Sequence, residues 1–96
     1  MVAKLLAIDG GWGVEGDINY KTVVALRKEG DRCLAQSNPS CCFDFSRVNQ
    51  VNTAALSLLL CWHRKAKELG VELNFADLPS ELIAIAKMSD LSSLIE

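Results

Sequence analysis

The chain has 96 residues, half of them apolar, with ten Lys and Arg against twelve Asp and Glu for a formal net charge of -2. That is material for one domain with a packed core and no more, here residues 1–96, and a domain this small is marginally stable and open to stabilisation by a partner. The interleaved charges argue against a nucleic-acid patch or a polybasic membrane segment. The start, Met1 to Asp9, is too short and too soon polar for a signal peptide, and no apolar window is long enough to span a membrane. A cytoplasmic location is the expectation.

Lys4 to Ile8 reads as a strand, ended by Asp9-Gly10-Gly11, and Trp12 to Ile18 as its hairpin partner. Asn19 or its neighbour starts a helix running to about Glu29. Val23, Val24 and Leu26 mark its apolar face, and Gly30 is expected to stop it. Gln36 to Ser40 is a polar loop, and Cys41 to Phe45 a buried strand. Thr53 to Leu69 carries the strongest helical pattern, with Asn52 as N-cap and Gly70 as terminator. Val71 to Ala76 alternates as a strand. Asp77-Leu78-Pro79 opens a last helix that buries Leu82, Ile83, Ile85 and Ala86, is broken at Ser89-Asp90, and sends Leu91 and Leu94 back to the core. Strands separated by helices imply an α/β domain whose sheet is largely parallel.

The chemistry-bearing residues form no recognisable catalytic set. Cys33, Cys41, Cys42 and Cys61 make no C-x-x-C pair, and in a cytosolic chain they are expected to be reduced, small core hydrophobes. Cys61 and His63 stand two apart, a poor spacing for shared metal ligation on a helix. There is no phosphate loop. No catalytic residue, metal or other cofactor is therefore expected.

One helix does point outward. From Ala54 to Trp62 the sole polar residue is Ser57. Ala55, Leu58, Leu59, Trp62 and Ala66 can make the stripe against the sheet. Leu56, Leu60 and the His63 edge are then left for either the last helix or a second protein to cover. Thr53, at the positive end of the helix, either caps it or offers its hydroxyl as a contact or phosphate acceptor.

These residues resemble a known family. Asp44-Phe45-Ser46-Arg47-Val48 followed by Asn52-Thr53-Ala54-Ala55-Leu56 is similar to the signature of STAS domains, the anti-sigma-factor antagonists and their relatives. Gly16-Asp17-Ile18-Asn19 and the junction Ala66 to Leu73 resemble further segments of the pattern. The resemblance covers nearly the whole chain and is closest to the stand-alone STAS subunits of Mla-type phospholipid ABC transporters. It implies a mixed sheet of about four strands with the helices mainly on one side. It also implies a non-catalytic subunit, peripheral to the inner membrane, docked on an MlaF-like ATPase in a complex with a permease. The docking residues it implies, together with the apolar run, are Asn52, Thr53, Leu56, Ser57 and Leu60. The alternative it implies is an antagonist phosphorylated at Thr53 by a kinase partner. Asn52 where many antagonists carry Asp, and Ala55 where Gly is usual, depart from that pattern.

Overall fold

The computed structural model describes residues 3–37 and 39–88. In chain order these form β1 (Lys4–Ile8), β2 (Gly11–Ile18), α1 (Val23–Gln36), β3 (Ser40–Val51), α2 (Ala54–Leu69), β4 (Glu72–Ala76) and α3 (Ser80–Met88). β1 and β2 are the antiparallel hairpin expected around Asp9-Gly10, and β2, β3 and β4 run parallel in the order β1-β2-β3-β4. The sheet is thus mixed and four-stranded, as the sequence predicts. Each parallel step moves one strand over in the same direction. Right-handed crossovers therefore place α1 and α2 on one face and point them the same way. α1 packs along α2, and α3 packs on α2 as well.

Cys41, Phe43 and Phe45 alternate inward along β3 and are buried. Trp62 of α2 is fully buried above them, its ring stacked on Phe43 at 4.2 Å and edge-on to Phe45 at 6.4 Å. The stripe read from the sequence is the observed one: Ala55, Leu58, Leu59, Trp62 and Ala66 all join the core. On α3, Leu82 and Ala86 are buried and Ile83 and Ile85 half-buried. The expected break at Ser89-Asp90 and the packing of Leu91 and Leu94 lie outside the described residues.

α1 departs from its predicted length. Gly30 does not end it; the helix continues to Gln36. A Cβ at position 30 would overlap Nε1, Cε2 and Cζ2 of Trp62. Glycine is there so that the two helices can close on the indole, a packing role that outweighs its low helix propensity. The Trp62 Nε1–H points to the Arg27 carbonyl at 3.4 Å in the same contact. Val24, expected inside, is 54% exposed. Gly70, by contrast, ends α2 as predicted. Its φ of 69° is left-handed, and its N–H and that of Val71 close back on Lys67 and Ala66 carbonyls.

Candidate functional site

The start of α1 is set by a reciprocal pair. Asn19 Oδ1 accepts the N–H groups of Lys21 and Thr22 at 2.9 and 3.2 Å, while Thr22 Oγ1 accepts the Asn19 N–H at 3.0 Å. This is the geometry of a capping box, and it makes Tyr20 the first residue of the helical turn, ahead of the regular span. The Val23 N–H already bonds the Asn19 carbonyl at 2.9 Å.

α2 starts differently. Asn52 Oδ1 accepts the Ala54 N–H at 2.8 Å, so Asn52 does the capping. Thr53 has helical dihedrals and makes no side-chain cap bond. Its hydroxyl is left free of the helix terminus and lies 3.0 Å from the Tyr20 phenol oxygen, bridging α1 and α2. Thr53 is exposed and Tyr20 is 72% exposed, so the bond sits at the surface. Of the two roles the sequence leaves open to Thr53, capping belongs to Asn52.

The remaining predicted docking residues separate. Ser57 is exposed one turn beyond Thr53, and Leu60 is half-buried. Leu56 is 9% exposed. Sidedness alone turns it outward; in the fold it is covered, which removes it from the surface open to a partner. His63 is exposed and lines a separate hollow of about 200 Å³ with Ala66, Lys67, Val71 and Leu73.

Four residues that sequence reasoning missed complete this face. Tyr20, in the turn that leads into α1, meets Thr53 ahead of α2, and Val24 is exposed one turn further along α1. Further along the seam, Arg27 and Arg64 line a hollow of about 270 Å³ with Asp31, Cys61, Lys65 and Glu68. Asp31 Oδ1 is shut off from water there without a hydrogen bond. The Asn19–Thr22 spacing was a signal for Tyr20, since it places a helix start just before that residue.

Cys33, Cys41 and Cys42 are not poised as nucleophiles. Burial, together with the neighbouring Cys41 and Glu29, pushes the Cys33 thiol up to about 11. Burial also raises Cys41 and Cys42 above their ordinary value. A thiol held protonated is a poor nucleophile. Among the described residues, no three of His, Cys, Asp and Glu are gathered as metal ligands, and no helix is long and apolar enough to cross a membrane.

A mixed four-stranded sheet with its crossover helices on one face defines a small α/β domain, with the Thr53 hydroxyl, bonded to Tyr20 and not to the helix terminus, exposed where the second crossover helix begins. The family model described as MlaB, STAS domain, matches residues 13–96, and the chain belongs to this family. In fold it is similar to the anti-sigma factor antagonist SpoIIAA in its unphosphorylated form, with a TM-score of 0.73 and 12% identity over 99% of this chain and 86% of that one. The phosphorylated form of SpoIIAA, a Bacillus cell fate determinant, gives 0.68 and 12% over 99% and 89%. No curated protein sequence matches the chain.

Proposed function

We propose that this STAS domain is the non-catalytic cytoplasmic subunit of a phospholipid ABC transporter of the Mla type, docked on the transporter's ATPase through the exposed start of α2. The observation that carries this reading is the family match, whose model bears the MlaB description and spans most of the chain. The site is compatible with it. Thr53 and Ser57 offer hydroxyls on a surface, Leu60 adds apolar area beside them, and burial raises the thiols of Cys33, Cys41 and Cys42.

The test is affinity purification of the tagged chain from its own cells, with recovered proteins identified by mass spectrometry. Recovery of an ABC ATPase with its permease is the expected result. Thr53→Glu should abolish it with unchanged melting, because it puts a charge into a contact that must be desolvated. Leu56→Asp serves as the contrast. It should lower the melting temperature, since its carboxylate would replace a covered side chain.

A second reading, an anti-sigma-factor antagonist phosphorylated at Thr53, is favoured by one observation: the Thr53 hydroxyl is exposed and spared from capping. Co-purification of a serine/threonine kinase instead of an ATPase, with phosphate on Thr53, would establish it. Neither partner in the eluate would remove both.

A further inference from the structure

The docking face does not end with α2. Because α1 and α2 run in the same direction, residues at matching heights stand side by side. Tyr20, Val24 and Arg27 follow one line towards and along α1, at spacings of four and three; Thr53, Ser57 and Arg64 follow one along α2, at four and seven. The lines start level at Tyr20 and Thr53, and Arg64 stands about one turn further along than Arg27, with both lining one hollow. The first pair is joined at 3.0 Å between Tyr20 and Thr53. The upper part of the seam is apolar and neutral, with Tyr20 72% and Val24 54% exposed. The lower part is the hollow of about 270 Å³, where Arg27 and Arg64 are both exposed.

The charges there are unbalanced. Among the described residues no ion pair within 4.0 Å joins either guanidinium to a carboxylate. Arg27, Arg64 and Lys65 face Asp31 and Glu68, three cations against two anions, so the hollow carries one net positive charge. A guanidinium is weakly hydrated and presents a fixed fork of donors suited to a carboxylate. Tyrosine and arginine together are also the residues most often found to anchor protein interfaces.

We infer that the α1–α2 seam is a two-part docking groove for an acidic amphipathic segment of the partner protein. The segment sets an apolar side chain on Tyr20 and Val24 and a carboxylate between Arg27 and Arg64. Tyr20 and Arg27 are seven residues apart, so the two anchors lie roughly 10 Å apart along the groove at the rise of an α-helix. A partner helix with an apolar residue and an Asp or Glu two turns away has that spacing. The Tyr20–Thr53 bond fixes the upper end of the groove, making the hydroxyl and the phenol one contact unit. This inference rests on the docking reading above and names the chemistry of the partner's contact.

The experiment uses the purified chain and the purified ATPase subunit, titrated by calorimetry at about 0.05 and 0.5 M salt, where screening of exposed charges differs strongly. Arg27→Glu/Arg64→Glu should weaken binding on the order of 10- to 100-fold at low salt, as loss of a buried interfacial charge pair does. Lys28→Glu/Arg32→Glu makes the same change in net charge on the exposed flank of α1 and should leave affinity within about threefold. Tyr20→Ala should weaken binding about tenfold at both salts. Arg27→Ala/Arg64→Ala adds no charge and should follow the same order with a smaller loss; it serves if the reversal variant fails to fold.

Equal losses in the two reversal variants would mean long-range attraction without a seat and would overturn the groove. Loss of binding by Thr53→Glu with none in the arginine or Tyr20 variants would overturn the groove while leaving docking at α2 in place. Absence of binding by the wild-type chain would overturn the docking reading and the groove with it.

Discussion

The seam between α1 and α2 has two sides with opposite character. On the inner side, Gly30 admits the indole of Trp62, and Trp62 rests on Phe43 with no space left for a further methyl group. On the outer side of the same two helices, Tyr20, Val24, Thr53 and Ser57 are exposed, and an open hollow lined by Arg27, Asp31, Cys61, Arg64, Lys65 and Glu68 lies further along. The same pair of helices thus has one side committed to the fold and one left uncommitted. Substitutions on the inner side should be read in stability and those on the outer side in binding. A variant that crosses this division breaks the comparison.

The largest effect is expected at Trp62. Trp62→Ala removes the centre of the aromatic cluster and should cost about 3–5 kcal/mol, a large share of the stability of a small domain, measured by urea denaturation. Gly30→Ala tests the same contact from the other helix. Alanine favours a helix over glycine by about 1 kcal/mol, while overpacking against a fixed ring costs about 1–3 kcal/mol. The expected net result is destabilisation. A stabilised Gly30→Ala would mean that the indole can move and that the inner side is not closed.

Most of this inner side was legible in the sequence. The period of Ala55, Leu58, Leu59, Trp62 and Ala66 identified the buried stripe because a helix on a sheet has one inward direction. Gly70 was legible because a left-handed residue after a helical run has few other uses. Gly30 was not, since a glycine that stops a helix and one that admits a neighbouring ring look alike until the neighbour is known. The outer side was legible in part. Thr53 and Ser57 stood out from an apolar run, but Leu56 was assigned outward by sidedness although other parts of the fold cover it. Tyr20, Arg27 and Arg64 belong to the face through the parallel arrangement of two distant segments, which periodicity within one segment does not contain.

A smaller effect sharpens the division between Asn52 and its neighbour. Asn52→Ala deletes the acceptor of the Ala54 N–H and should cost about 1 kcal/mol of stability. Thr53→Ala deletes an exposed hydroxyl whose bond to Tyr20 lies at the surface, and should change the denaturation midpoint by less than about 0.5 kcal/mol. Two adjacent residues should then separate by assay, Asn52 in melting and Thr53 in partner binding. Equal destabilisation by both would assign Thr53 to the cap.

The last effect tests the inner side through pH. Cys33 is buried near the end of α1, and its thiol is pushed from an ordinary 9.0 to about 11, first by burial and then by Cys41 and Glu29. In the unfolded chain the thiol ionises at its ordinary value. Below that pH both states hold the proton and the shift contributes fully to stability. As pH rises from about 9 towards 11 the unfolded state loses its proton while the folded state keeps it, so folding weakens across that window. Denaturation midpoints measured through this range should therefore fall. Cys33→Ala, which is small, apolar and has no proton to lose, should reduce that slope even though its stability at neutral pH is lower through the lost packing. A slope unchanged by Cys33→Ala would mean that the thiol meets water in the folded chain and that the inner side is open at this end of α1.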